Sequence, residues 1–499
     1  MPVATPPLYL LIATPLLAMA AAWLARTSRQ AFLVGIAGAG LQLLAVTVLL
    51  WQFRPEAAGF QWTGRMALAP WLGGHLGVDG ISILFLALTA LLTLLVILYG
   101  EIVDERPAGL YVASVFAFQA VLTGVFLSID LLGFWLGCLL ELIPAGFILS
   151  RWGMPHGRRP ALQHYLLTMA GGLGLMLAAI LIAGWNHADL AGSWSFLLTD
   201  LLETPLPPER QSLVFVLLFY GLAVRMGLFP FHAWLPAVAQ HGPLATLCVY
   251  LVGLKVGVYG LFRFLLPLVP DAARHWSRPV VALAVLGMFY GALLALMQIN
   301  LRRLLAFAAV SHSAMLVVGV FCLNAAGLQG SLVLAINFGA AAAGLLFATG
   351  VLYRTTGTAL LPRLGGMFDA LPLLGLTFLI AALSTMAMPG TPGFDAAHLI
   401  LEGAIQAHHW MLAVAVATGS VAAAGFLLWA FQRAFLARRR DNRLQPLTLR
   451  MSLPEIALAG ILCSVMLAVG FYSKPWLAIA DASLSDLAQR LSHPATARH

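Results

Sequence analysis

Apolar runs of about 20 residues recur along the whole chain, each long enough to cross a hydrocarbon core of roughly 30 Å as a helix. The pattern predicts about fourteen crossings, from residues 7–26 and 31–52 at one end to 455–477 at the other. Two runs do not read as simple helices. The run over 212–229 leads into FPFHAWLP, with Pro230 and Pro236, and the run over 370–408 is interrupted by MPGTPGF. Proline removes a backbone donor and breaks a helix. Open backbone at membrane depth is tolerated only against protein or water, so both segments predict broken helices around a polar interior, as in inverted-repeat transporters.

Composition supports that pattern. The 499 residues are 61% hydrophobic and 9% charged, whereas soluble domains carry about 25% charge. Mean hydropathy is +0.93. The first run is read as a retained helix, since it is too long for a signal peptide and a second run follows at once. Basic residues such as Arg26, Arg106, Arg151, Arg158, Arg302, Arg354, Arg439, Arg440, Arg443 and Arg450 fall on one side of an alternating topology. The positive-inside rule makes that side cytoplasmic and puts both termini outside a bacterial inner membrane. The basic pI of about 9.6 then reflects topology and lipid headgroups rather than nucleic-acid binding. Cys138, Cys248, Cys322 and Cys463 occur singly in apolar segments, which argues against disulfides and CxxC metal sites. With no phosphate loop or dinucleotide fingerprint either, no cofactor is expected in this chain.

Charges inside apolar runs are costly and mark candidate functional groups. The clearest are Glu141, Arg225, Lys255 and His312. The chain has only two lysines, Lys255 and Lys474, against many arginines. A buried lysine can lose its proton and an arginine cannot, so Lys255 reads as a relay and Arg225 as a fixed charge. Glu141 needs a cation to stay ionised at mid-span, and Arg225 is its natural partner. A pair that only fixes packing is the alternative. His232 and His241 are either interfacial packing residues or proton groups. Asp395, His398 and Glu402, spaced by three and four, share one helical face and form either an outward exit or the cap of a re-entrant helix.

LGVDGISILFLALT (76–89), mid-span Glu141 followed by a proline, FPFHAWLP with a downstream GP (229–243), LKVGVYGLFRF (254–264), NLRRLLAFAAVSHSAM (300–315) and MPGTPGF (388–394) resemble the antiporter-like membrane subunits of respiratory complex I. Those are similar to subunits of multisubunit cation/proton antiporters and membrane-bound hydrogenases. The resemblance implies an all-α polytopic fold of fourteen helices with two inverted five-helix repeats, each with a broken helix. It divides the chain into N-terminal helices (1–105), a first repeat (106–268), a second repeat (269–437) and a C-terminal helix with a short tail (438–499). It implies a chain of charged residues moving protons, with Glu141, Lys255 and His312 at matching positions. Departures are Arg225 for the family's lysine, Ala237 for an aspartate, Asn337 at the polar position of the eleventh helix, and Ala397 for the lysine or glutamate of the twelfth.

The implied function is a proton-translocating subunit of a larger complex. Its partners would be redox-complex subunits or, as in the two-component inorganic-carbon accumulation system, a soluble zinc-bearing subunit that carries the metal. The length of the chain favours the second slightly. A non-conducting anchor with a disabled channel is the alternative, motivated by Arg225, Asn337 and Ala397. A haem-carrying quinol subunit would need facing histidines, but His312 is alone in its run and His408 and His409 are adjacent at a run's end. Sodium as the coupled ion stays open beside protons.

Overall fold

The computed structural model describes residues 6–69, 72–103, 105–243, 253–408, 410–438 and 451–492. Cys248, His409, Arg439, Arg440, Arg443 and Arg450 lie outside the described residues. The apolar pattern is realised as helices. α1 (Pro6–Trp23) and α2 (Ser28–Gln52) are followed by an antiparallel hairpin of β1 (Trp62–Ala69) and β2 (Leu72–Val78), which sequence reading did not foresee. Next come α3 (Gly80–Ile102), α4 (Ala108–Leu127), α5 (Leu131–Leu140), α6 (Leu142–Trp152), α7 (Arg158–Ala191), α8 (Leu198–Glu203), α9 (Pro208–Met226) and α10 (Trp234–His241). A helix over 253–260, α11, passes through a π turn at Leu261–Leu265 into α12 (Leu266–Leu268). The remainder comprises α13 (Pro270–Leu296), α14 (Leu301–Val320), α15 (Ala325–Thr356), α16 (Met367–Ala370), α17 (Pro372–Thr385), α18 (Pro392–His408), α19 (Trp410–Phe431), α20 (Leu453–Phe471) and α21 (Lys474–Ser492).

Among the described residues, ten helices are long and apolar enough to cross a membrane. Their arrangement is that of a multi-pass membrane protein. α14 is buried along nearly its whole length, and α3 and α15 are mostly buried, so all three lie inside the bundle. α2, α19 and α20 present large apolar side chains outward, such as Leu44, Trp51, Val421 and Ile456. Outward apolar surface of this extent suits lipid rather than water.

The tail expected after about residue 477 is instead α21, whose buried Ala480, Ser483, Leu484, Leu487 and Leu491 recur at helical spacing. Asp481, Asp486 and Arg490 lie among them in sequence. An amphipathic pattern of this kind covers the end of a bundle rather than crossing the bilayer.

The helices break where proline and glycine predict. α5 and α6 are separated by Glu141 alone. Pro144 has no N–H to give the carbonyl four residues earlier, which loosens the ladder beside the glutamate. α9 ends at Gly227, whose φ of +62° is the left-handed conformation that favours glycine. The second break spans residues 386–391, between α17 and α18, with Ala387 at φ +60° and Gly390 at +85°.

Candidate functional site

Both breaks free backbone carbonyls inside the bundle, where each needs a donor. At the first, Trp234 Nε1 donates to Val224 O (3.0 Å), and Arg302 caps the end of α10 by donating from Nε to Ala239 O (2.9 Å) and from a terminal nitrogen to Gly242 O. Arg302, assigned from sequence to a basic cytoplasmic loop, is only 1% exposed. Its guanidinium supplies several donors in a fixed fork, which suits a set of helix-end carbonyls. At the second break, Asn337 Nδ2 donates to Ser384 O (3.1 Å) while its Oδ1 accepts from Ser384 Oγ (2.6 Å). His312 Nε2 lies 2.9 Å from Thr385 O.

Glu141 and Arg225, 84 residues apart, form a buried ion pair. Arg225 also donates to Cys138 O at 3.3 Å. The pairing follows from the interruption at Glu141 and from Arg225 lying one residue before the end of α9, so that both side chains meet between helices. α11 lies against the pair because Gly253 has no Cβ: one built there would sit 2.6 Å from Glu141 Oε1. Gly257 likewise faces Leu222 O of α9, at 2.8 Å from a built Cβ. These two glycines let α11 pack closely against α9 and the pair, and Lys255, two residues after Gly253, leaves the helix on a different face.

Lys255 is 3% exposed, and its ammonium lies 4.8 Å from the centre of the Phe338 ring. His312 stacks on the same ring at 4.7 Å and 21°. Phe338 thus touches both the first-half lysine and the second-half histidine. A desolvated cation over an aromatic face gains on the order of 2 kcal/mol, part of what Lys255 loses by leaving water. Sequence reading assigned the polar role on this helix to Asn337; the adjacent Phe338 was missed because an aromatic in an apolar run carries no signal of its own.

His312 Nδ1 lies 3.1 Å from Ala308 O and Nε2 faces Thr385 O. Both neighbours only accept. A neutral imidazole donates to one of them, and an imidazolium donates to both. The surroundings of His312 therefore hold its two protonation states in nearly the same position. A cavity of about 10 Å³ lined by His312, Thr385, Ser311 and Ser420 adjoins the ring, room for one water.

The remaining expected residues are placed differently. His232 is buried among the Phe229, Tyr290 and Phe307 rings, and its Nδ1 has no hydrogen-bond partner. His241 ends α10 beside Gly157, and Met154 N donates to its carbonyl at 2.7 Å. Asp395, His398 and Glu402 share a face of α18 as the spacing predicts, but that face points away from His312 and Asn337: Asp395 is half-buried and the other two are exposed. The inward face of α18 is small, with Ala396 O and Ile400 N each 2.8 Å from a Cβ built on Gly330 of α15. Those small residues are what allow α18 to approach α15.

A bundle of apolar helices, interrupted twice inside the membrane, with a buried ion pair, a lysine and a histidine along its axis, defines an ion-transporter-like membrane subunit. The chain belongs to the NADH:quinone oxidoreductase/Mrp antiporter transmembrane family, which matches residues 128–423. It is 31% identical to NADH-quinone oxidoreductase subunit M of Escherichia coli K12 over 463 residues, covering 89% of this chain and 90% of that protein. Subunit M of Pseudomonas aeruginosa is 32% identical over 425 residues, 84% and 82% of the two chains. A chain of respiratory complex I from Thermus thermophilus with bound NADH superposes with a TM-score of 0.88 at 30% identity, covering 97% of this chain and 99% of that one. The Mrp complex of Dietzia shares the fold, with a TM-score of 0.83 at 20% identity over 98% and 100% of the chains. The chain is thus an antiporter-like membrane subunit of the complex I and Mrp type.

Proposed function

We propose that this chain translocates protons as one subunit of a redox-driven membrane complex, with Lys255 as the group that gains and loses the proton. The observation that carries this reading is a buried lysine on α11, the helix whose Gly253 meets Glu141, with its ammonium over the same Phe338 ring that stacks on His312. Arg225 keeps its charge and pairs with Glu141. A proton reaching Lys255 creates a buried cation with no carboxylate partner among the described residues, which favours release onward. The same arrangement suits a fold of fourteen crossings in two inverted five-helix repeats, 106–268 and 269–437, each holding one of the two breaks. His398 and Glu402, exposed on a membrane helix, are costly against lipid, which supports a neighbouring protein subunit on that side.

The second reading is an anchor that does not conduct, and Phe338 favours it, since the ring that both Lys255 and His312 contact carries no proton. The test is to purify the complex from native membranes through a tag on this chain, identify its subunits by mass, and reconstitute it in liposomes with a pH dye. Quinone-reductase subunits together with loss of proton uptake in Lys255→Met support the proposal. A single soluble zinc-bearing partner would make the chain the proton-driven half of a carbon-uptake pair. Unchanged uptake in Lys255→Met makes it an anchor.

A further inference from the structure

Lys255, Tyr259 and Arg263 follow one another at four-residue spacing and so share one face of α11 and its π turn. The function proposed above uses only the first. Tyr259 is fully buried; its hydroxyl donates to Phe126 O at 3.0 Å and accepts from Arg263 Nε at 3.1 Å. Arg263 in turn pairs with Asp79 Oδ1 at 2.5 Å, and both side chains are buried. The same Asp79 oxygen accepts from Ile81 N and Ser82 N at the start of α3, which fixes the carboxylate in place. The rings of Phe85, Phe126 and Phe134 surround Tyr259 at 5.8, 5.3 and 6.1 Å, so the polar route past them is the hydroxyl itself. π turns inside α-helices are frequent at functional sites.

Asp79 and Arg263 line a cavity of about 290 Å³, whose other walls include Thr199 of α8 and Ser483, Asp486 and Arg490 of α21. That volume has room for several waters. It lies at the end of the bundle where α3 begins, beside α8 and α21. The second-half cavities are smaller, about 10 Å³ at His312 and about 30 Å³ beside Phe338; Asn337 cannot carry a proton, Ala397 is not ionisable, and His398 and Glu402 face outward.

We propose that the first half carries its own outlet, from Lys255 along the Tyr259 hydroxyl to Asp79 and the water of this cavity, so that protons leave without passing through the second half. The proposal rests on the reading of Lys255 as the proton-bearing group. In the step itself, the Tyr259 hydroxyl turns from Phe126 O and Ser128 O toward Asp79, and the Lys255 ammonium gives a proton through water to the Tyr259 oxygen as Tyr259 releases its own to the Asp79 carboxylate. Asp79 passes that proton to cavity water, so Tyr259 and Asp79 end as they began and Lys255 ends neutral, ready for the next proton. Arg263 is a positioning residue: it stays protonated and holds Asp79 between the hydroxyl and the cavity.

The test uses the intact complex in liposomes with an internal pH dye. Tyr259→Phe keeps the ring and removes the hydroxyl, and a slowing of proton translocation by tenfold or more is expected. Thr199→Cys, on the cavity rim, is measured before and after labelling with a bulky cationic thiol reagent on the α21 side; labelling should cut the rate by at least fivefold. Lys255→Met is run beside both. If Lys255→Met abolishes translocation while either Tyr259→Phe or labelled Thr199→Cys keeps the unmodified rate, the outlet is overturned and the role of Lys255 stands. If Lys255→Met keeps the rate, the role of Lys255 itself is overturned.

Discussion

Replacing Arg225 with methionine leaves the Glu141 carboxylate among apolar groups with its cation gone, and this change tests the site most directly. Both side chains are 3% exposed or less, so solvent cannot take over the lost contact. Removing one member of such a pair costs about 3–5 kcal/mol, because the survivor is left charged and unpaired. The bond from Arg225 to Cys138 O disappears as well. Glu141→Leu alone strands the arginine and should cost a similar amount. The double variant, with leucine and methionine of comparable volume, removes both charges and should lie within about 2 kcal/mol of the parent. The unfolded reference in a membrane also finds polar partners, which trims the coupling to about 1–2 kcal/mol. The assay is a double-mutant cycle on the purified complex, following chemical unfolding of this subunit. A coupling below about 0.5 kcal/mol would refute the view that the two charges hold each other in place. Arg225→Lys adds a functional reading: the new amine can lose its proton, so translocation should acquire a second pH dependence beyond that of Lys255.

Three further outcomes are expected. Arg302→Ala leaves the Ala239 and Gly242 carbonyls without their donor and should destabilise the subunit by about 2–3 kcal/mol, read as a lower unfolding midpoint. Ala387→Gly relieves a left-handed backbone at the second break, and should be neutral or stabilising by up to about 1 kcal/mol, whereas Ala387→Val should destabilise. Glu105, in the connection between α3 and α4, has its carboxyl pushed up to about 7 by burial. The folded form therefore binds the proton more tightly than the unfolded chain, and stability should fall as pH rises from about 4.5 to about 7. In Glu105→Gln that slope should flatten, which thermal unfolding at pH 5 and pH 8 would show.

Much of the site was legible because charge in an apolar run has few permissible fates. Glu141 and Arg225 had to find each other or water, and they did, although their meeting depended on two helix ends being packed together. The broken helices were legible from Pro230, Pro236 and MPGTPGF, since proline removes a donor in any context. The face of α18 was harder. Its spacing put Asp395, His398 and Glu402 together, but spacing does not say which face turns inward, and Ala396, Gly403 and Ala404 won that position by allowing close approach to α15. Asp79 and Arg263 lay inside recognisable motifs without being assigned; the four-residue spacing from Lys255 through Tyr259 to Arg263 was the signal that could have found them.

Sequence alone determined that the chain lives in a membrane, that two of its helices break, and that Glu141, Arg225, Lys255 and His312 are buried charges or proton-bearing groups. Hydropathy and proline act locally, so they can be read along one dimension. Tertiary structure alone set Phe338 against both Lys255 and His312, turned Arg302 from a loop charge into a helix cap, folded the hairpin and α21 over the end of the bundle, and opened the cavity beside Asp79. Each of these depends on which residues distant in sequence share a contact, and that is settled by how closely the helices can pack.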